Sequence, residues 1–482
     1  MPELLTIPRA ARLAGVSRGE LQKHIRIGEL ETFEGKVTIS NLLRLYPVID
    51  MDKDPMLEKV AKIKLNAIKD KGKTDTVLPS SVVLMSRLQE FSELLVKLKA
   101  KLNQHNILFQ EVIERVDNLQ ETDNLETEVH NLYQWLKNQN TQLQDIKQPD
   151  DKAKLFVKDT FLRFIAAQVK FVPSGNEFFV EGSDSLLESA IRAGLKPNYG
   201  CSSGACGSCK ARVVTGEVKK ICEHDYVLSE YEKQMGYMLM CSNTAITDLT
   251  IEANEAKVPS DLPIQKIRAV VKNKELLNSD LMVVSLQTQR TKTLRFMAGQ
   301  NIKLKLEQDT AYCPIASCPC DGRNLQLHFK KTDSNISNKI FNDLQIGQTV
   351  SLEGPYGYFV LSDCNNPIVF IAQDDSFASI KSLIEHAIST DTVEALHLYW
   401  LAENGHYLDG LCRSWKDALD NFSYNPLLKF TELEQQLNQF LPTVSNLTEF
   451  YISGNDDVET ILLKHGIDKE KIHKNNLMYS NS

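Results

Sequence analysis

Three cysteines in one tight run, Cys201, Cys206 and Cys209, stand as C-x4-C-x2-C, and a fourth, Cys241, follows within Leu-Met-Cys-Ser-Asn. Three thiolates from one loop and one from afar form the ligand set of a 2Fe–2S cluster. A loop that wraps an inorganic core must keep its backbone close to the sulfurs. Gly204 and Gly207 remove side chains where it turns or approaches, and Ser202, Ser203, Ala205 and Ser208 are small for the same reason. Zinc is the main rival, but zinc sites usually draw on paired C-x2–4-C knuckles, and the second half here offers one cysteine. Disulfides are the weaker rival, since Met1-Pro2-Glu3-Leu4-Leu5 has no signal-peptide architecture.

At 482 residues the chain is too long for one domain, and three or four are expected. Its hydrophobic share of 42% and charged share of 24% are ordinary for globular protein. A net charge of −8 argues against a chain that coats nucleic acid throughout, while leaving room for one basic face. No apolar run reaches transmembrane length. The expectation is a soluble, cytoplasmic protein with no membrane partner.

Around the cysteines, Lys170-Phe171-Val172-Pro173 and Phe178-Phe179-Val180 suggest a strand hairpin, and Leu186 to Ala190 a helix closed by Gly194. Gly216-Glu217-Val218, Leu228-Ser229 and Gly236-Tyr237-Met238-Leu239 follow the loop. Together these resemble a plant-type ferredoxin domain of β-grasp fold, spanning residues 168–258. Cys222 lies outside the ligand pattern.

At the amino end, Ile7-Pro8 opens a short helix, Gly15-Val16-Ser17 turns it, and Ser17 caps a second helix that Gly28 stops. Leu21, Ile25 and Ile27 are expected inside; Arg18, Lys23 and Arg26 are expected outside. A short hairpin through Ile39 follows, then a helix capped by Ser40. Residues 1–50 resemble the winged helix of excisionases and MerR-type regulators. That resemblance implies that the second helix enters a DNA groove with Arg18, Lys23 and Arg26. Glu20, Glu29, Glu31 and Glu34 nearly cancel those charges, and such modules also dock proteins.

Between 51 and 167, Leu84, Leu88, Phe91, Leu95, Leu98, Leu102, His105, Phe109, Val112, Val116 and Leu119 alternate spacings of four and three. This is a coiled-coil seam, interrupted at Gln120 to Asn124 and resumed from Leu125. It serves either an intramolecular hairpin or a homodimer, which would set two winged helices side by side. Gln148-Pro149-Asp150-Asp151 reads as a linker, and Lys69 to Thr76 as a charged loop.

The carboxy-terminal part carries Phe296-Met297-Ala298-Gly299-Gln300, Tyr312 followed by Ile315-Ala316-Ser317, and Glu353-Gly354-Pro355-Tyr356-Gly357-Tyr358-Phe359. Pro367 to Ala372 is a buried strand with a helix after it. These segments resemble a ferredoxin–NADP reductase-type module, a flavin β-barrel over 263–362 and a parallel α/β nucleotide-type domain over 363–482. The resemblance implies FAD at Tyr312, Cys313 and Ser337, with Tyr312 stacking on the ring and Cys313 standing where a hydroxyl would bond it. The family's Arg-x-Tyr-Ser/Thr signature is Thr310-Ala311-Tyr312-Cys313 here, so the arginine that grips the pyrophosphate is missing. The glycine-rich turn after the first parallel strand is Gln373-Asp374-Asp375-Ser376, and a later turn is Ser453-Gly454-Asn455-Asp456-Asp457. Carboxylates there repel a dinucleotide, so NAD(P)H binding is expected to be weak or lost. Cys313, Cys318 and Cys320 lack a fourth metal ligand and read as ordinary thiols.

The chain is thus expected to be a multidomain α+β and α/β protein, with winged helix, coiled-coil helices, β-grasp ferredoxin, flavin barrel and parallel α/β domain in order. From 168 to 482 it resembles the reductase components of multicomponent oxygenases and of deoxysugar synthesis. That implies single-electron transfer between a flavin, nicotinamide or partner donor and an acceptor protein. A redox-responsive dimeric DNA-binding regulator with a degenerate reductase body is the alternative.

Overall fold

The computed structural model describes residues 4–33, 35–46, 166–181, 184–222, 226–362, 365–454 and 457–475, with single helical positions at His105, Ile107, Val112, Gln134 and Trp135. The coiled-coil seam, its choice between hairpin and dimer, the charged loop and the linker lie outside the described residues. Two seam members, His105 and Val112, are described, and both are helical and exposed.

The amino-terminal unit runs β1 (Leu4–Thr6), α1 (Ile7–Ala14), α2 (Arg18–Arg26), β2 (Thr32–Phe33), β3 (Lys36–Thr38) and α3 (Ile39–Leu45). Its strands order β1-β3-β2. Pro8 sits in the first turn of α1, where a missing N–H costs nothing. Ser17 Oγ accepts from the Glu20 N–H at 3.0 Å and starts α2. Ala10, Leu13, Leu21, Leu30, Val37 and Leu42 form a small core. Two expectations shift. Thr38 caps α3, accepting from the Asn41 N–H at 3.2 Å, because the strand stops there and the helix begins before Ser40. Ile27 lies past the helix end and is exposed.

The second unit comprises β4 (Ala166–Val172), β5 (Glu177–Glu181), α4 (Leu186–Arg192), β6 (Lys210–Thr215), β7 (Val218–Lys220), α5 (Glu230–Gln234), β8 (Tyr237–Leu239), β9 (Asn243–Ala245) and β10 (Leu249–Glu252). The main sheet orders β5-β4-β10-β6-β8, with β10 parallel to β4. Ser185 and Glu188 form a reciprocal cap on α4. Gly194, at φ 79, closes that helix as Leu195 N–H donates to Ala190 O. The helix packs Leu186, Leu187 and Ala190 onto Phe171, Phe178 and Ile251.

The third unit is a six-stranded antiparallel barrel of β11 (Gln265–Leu276), β12 (Leu281–Thr288), β13 (Asn301–Leu306), β14 (Asp309–Pro314), β15 (Asn324–Lys330) and β16 (Thr349–Tyr356), with α6 (Asn335–Asn338) between the last two. It orders β14-β13-β16-β11-β12-β15 and closes through an Ile315–Leu327 bridge.

The fourth is doubly wound: β17 (Ile368–Gln373), α7 (Phe377–Thr390), β18 (Leu396–Leu401), α8 (Asp409–Ala418), β19 (Phe422–Leu427), α9 (Phe430–Phe440), β20 (Glu449–Ser453), α10 (Asp457–Lys464) and β21 (Ile472–Lys474). All five strands are parallel, in the order β19-β18-β17-β20-β21. One face is covered by Phe377, Ile380, Cys412 and Trp415, the other by Leu433, Leu437, Val458 and Leu462. Covering both faces is why β17 reads as an unbroken apolar run. Among the described residues no helix is long and apolar enough to cross a membrane.

Candidate cluster and flavin sites

The cysteine loop leaves α4 and returns to the sheet at β6. Cys201, Cys209 and Cys241 are buried, and Cys206 is exposed. The sulfurs form two pairs. Cys209 Sγ and Cys241 Sγ lie 3.3 Å apart, and the Cys206 N–H donates to Cys201 Sγ at 3.4 Å. The hydrogen bond between the two thiols holds Cys241 toward the thiolate, against burial and with help from Ser242 and the Gly204 amide, and pushes Cys209, the donor, up. Burial pushes Cys201 up, but hydrogen bonds from the Ser203 and Cys206 amides and side chains bring it below the usual thiol range. A sulfur poised toward the thiolate is what a metal needs. Among the described residues no three His, Cys, Asp or Glu side chains converge on one ion. A cluster with two irons asks for two pairs instead, and two pairs are present. Gly204 and Gly207, at φ 78 and 74, give the loop its left-handed turns. The donor set fits a 2Fe–2S cluster.

The loop is fastened to the barrel. Ser202 N–H donates to Arg290 O at 2.9 Å, and Thr293 N–H donates to Gly200 O at 3.1 Å. Arg295 Nη1 reaches Asn198 Oδ1 at 2.5 Å, and the same guanidinium lies 5.6 Å from the Tyr199 ring. Nothing in the composition of residues 290–295 signals this contact, and sequence reasoning missed it.

On the barrel, the pleat of β14 separates Tyr312 from Cys313. Tyr312 faces out, 47% exposed, with the Tyr356 ring edge-on at 5.8 Å. Cys313 faces in, 3% exposed, and its thiol donates to Ile302 O at 3.7 Å. Burial raises that thiol to about 12. Cys313 is therefore a core residue, which corrects the expectation that its side chain meets the flavin: successive strand residues point to opposite faces. Ser337 is buried, its Oγ accepting from the Thr332 N–H at 2.9 Å while its own N–H donates to Ser334 Oγ. Directly across from Tyr312 and Thr310 on β13 stand Lys303 and Lys305. Lys303 Nζ is 5.3 Å from the Tyr312 ring centroid, and Lys305 is exposed. An exposed aromatic beside two cations on one strand face fits a flavin ring and its pyrophosphate.

In open α/β sheets, ligands enter where the strand order reverses, beyond the carboxyl ends of the strands. Here that point lies between β17 and β20, and side chains fill it. Ser376 Oγ lies 2.5 Å from both Gln373 O and Ser453 O. A Cβ on Gly454 would stand 2.5 Å from Gln373 Cβ. Trp400 Nε1 donates to Asp374 O at 3.1 Å, and Phe377 stacks on Trp400 at 3.9 Å. Burial lifts the Asp374 carboxyl above its usual range, and Asp375 and Glu403 add like charge against the pull of Lys330. The turn residues present do not fit a pyrophosphate.

Cys318 and Cys320, expected as ordinary thiols, form a disulfide. The helix α2 lies against the rest of the chain. Arg18 N–H donates to Asp391 Oδ2 at 3.0 Å, and Arg26 Nη1 pairs with Glu394 Oε2 at 2.5 Å. Lys23 stays exposed. On the same side, Arg12 pairs with Glu181 at 3.1 Å and Arg9 with Asp248 at 3.6 Å. The Arg18 backbone N–H and the Arg26 guanidinium therefore engage carboxylates of the fourth unit, while Arg26 itself remains exposed beside Lys23.

The sequence matches the 2Fe-2S iron-sulfur cluster binding domain over residues 170–245 and the oxidoreductase FAD-binding domain over residues 268–361. The CDP-6-deoxy-L-threo-D-glycero-4-hexulose-3-dehydrase reductase of Yersinia pestis is 30% identical over 266 residues, which is 55% of this chain and 80% of that protein. The phenol 2-monooxygenase reductase component DmpP of Pseudomonas sp. strain CF600 is 26% identical, over 59% of this chain and 83% of its own. The solved cytochrome P450 reductase GcoB of Amycolatopsis aligns at 20% identity over 64% of this chain and 98% of its own, with a TM-score of 0.40. A paired-cysteine cluster loop pinned to a flavin-type barrel, in a sequence 30% identical to a reductase along most of that reductase's length, places the chain in the family of 2Fe–2S ferredoxin reductases, which are electron-transfer oxidoreductases.

Proposed function

We infer that this chain relays single electrons to an acceptor protein and takes its reducing equivalents from a partner donor instead of NAD(P)H. When bound, FAD accepts electrons in pairs and releases them singly, and a 2Fe–2S cluster carries one at a time. The residues supply placement. Tyr312, Lys303 and Lys305 hold the flavin, Cys201, Cys206, Cys209 and Cys241 hold the cluster, and the hydrogen bonds from 290–295 to the cysteine loop keep the two domains in register. The observation that carries the donor assignment is the filled switch point, where Ser376 lies 2.5 Å from Ser453 O. Anaerobic mixing of the as-isolated protein with NADH or NADPH is expected to leave the cluster absorbance unchanged, while dithionite bleaches it. Rapid bleaching by either nicotinamide overturns this assignment.

The amino-terminal unit, with the winged-helix order of elements, serves in this reading as an internal docking module. Arg18 and Arg26 support that role through their contacts with Asp391 and Glu394. The regulator reading needs α2 released from those contacts and a dimer formed through the 84–119 seam. Its test is a salt-dependent mobility shift of the full chain on genomic fragments, in wild type and in Glu394→Ala. No retardation of either protein at low salt removes DNA as the partner.

A further inference from the structure

Besides the cluster and flavin sites, the chain holds a third group able to change oxidation state. Cys318 and Cys320 are disulfide-bonded across a single residue, Pro319. The two sulfurs are in unlike surroundings. Cys318 is 1% exposed, and its sulfur takes the Cys320 N–H at 3.2 Å and lies 3.8 Å from His386 Nδ1. Cys320 is half-buried. The backbone N–H of Cys318 donates to Glu385 Oε2 at 3.1 Å, and Lys381 Nζ holds Ala316 O, Gln326 Oε1 and Glu385 Oε1. The turn that carries the pair is thus fixed to α7, and it also touches α4 of the cluster domain.

We propose that Cys318–Cys320 is a redox-active disulfide reduced by an external dithiol, with Cys320 the sulfur attacked and Cys318 the leaving thiolate. Thiol–disulfide exchange depends on access to the attacked sulfur and on stabilisation of the leaving one. Access favours Cys320. The two donors favour Cys318, since the Cys320 amide and, in its Nδ1–H tautomer, His386 both aim at its sulfur. A dithiol thiolate attacks Cys320 Sγ, forms a mixed disulfide and breaks the bond to Cys318 Sγ, which leaves as a thiolate. The second thiol of the dithiol then attacks the mixed disulfide and releases Cys320. The dithiol loses two electrons and two protons and becomes a disulfide; Cys318 and Cys320 gain both and become thiols.

The test uses the full-length holoprotein, quenched and unfolded in alkylating reagent, before and after anaerobic equilibration with dithiothreitol or a thioredoxin-class dithiol protein. The tryptic fragment Leu306–Arg323 holds Cys313, Cys318 and Cys320. One label in the air-exposed protein and three after dithiol treatment are expected. Three labels in the air-exposed protein, or one that persists after treatment of the folded protein, overturns the proposal. A thioredoxin-class protein whose resolving cysteine is replaced by serine is expected to attack the intact disulfide and stay bound to Cys320, leaving Cys318 as the free thiol, as peptide mapping reads; a mixed disulfide at Cys318 overturns the assignment of roles. His386→Asn is expected to slow reduction about ten-fold, the loss of one hydrogen bond to a developing charge. Cluster absorbance, measured on every variant, separates these outcomes from misfolding.

Discussion

The backbone N–H of Arg18 donates to Asp391 Oδ2 at 3.0 Å, tying the first turn of α2 to the residue that ends α7. Next to it, a Cβ on Gly19 would stand 2.4 Å from Val393 O. In a free helix, alanine outperforms glycine by about 0.5–1 kcal/mol. Overlap with backbone reverses that sign and costs about 1–3 kcal/mol. Gly19→Ala is expected to loosen the amino-terminal unit, seen as faster hydrogen exchange over residues 4–46 with the remaining domains unchanged. Slower exchange there means that α2 is not docked.

The same contact responds to pH. Burial raises the Asp391 carboxyl to about 6 from an ordinary 3.8, while the Arg18 amide pulls the other way. Between those values the docked form holds a proton that the undocked form has released. Docking therefore strengthens as pH falls through 6, and the gain is complete below about 4. After correction for intrinsic rates, α2 exchange is expected to be slower at pH 5 than at pH 7, and Asp391→Asn to flatten the difference. Equal pH dependence in wild type and variant removes Asp391 as its source.

Serine in place of any one of Cys201, Cys206, Cys209 and Cys241 is expected to abolish the visible cluster absorbance and most of the bound iron, because one iron then loses one of its two protein ligands. Cys222→Ser and Cys412→Ser are expected to keep both. Iron per chain and the visible spectrum decide.

The flavin phosphates give a third handle. Lys305→Ala is expected to weaken FAD binding about ten-fold or more, the loss of a charge-assisted contact. Thr310→Arg, which returns a fork to the opposite strand, is expected to tighten it. Fluorescence titration of cluster-free protein with FAD reads both. Unchanged affinity in the two variants would put the pyrophosphate elsewhere on the barrel.

Gly454→Ala tests the closed switch point. Its φ is 129, and the added Cβ would meet Gln373. A loss of about 1–3 kcal/mol in unfolding free energy is expected, measured by denaturant titration.

Local chemistry was legible in the sequence. Cys201, Cys206, Cys209 and Cys241 announce a cluster because metal ligation fixes residue type and spacing within a short loop. Ser17, Gly194 and the apolar run of β17 announce their elements because capping, left-handed turns and two-sided burial leave marks on single residues or short runs. Those determinants act within a few positions, so the sequence alone carried them.

Tertiary structure decided what depends on residues far apart. The pleat of β14 sends Cys313 and Tyr312 to opposite faces, but only barrel closure decides that Cys313 is the one buried, against Ile302 O. Ser376, in the turn after β17, and Ser453, at the end of β20, meet only when those two strands pair. Arg18 and Arg26 read as an exposed cationic face, but their carboxylate partners stand 373 and 368 positions away. A sequence shows which groups can form hydrogen bonds or ion pairs. Which of them meet is set by burial and packing of whole domains, and here that packing set α2 against Asp391 and Glu394 and closed the turn after β17.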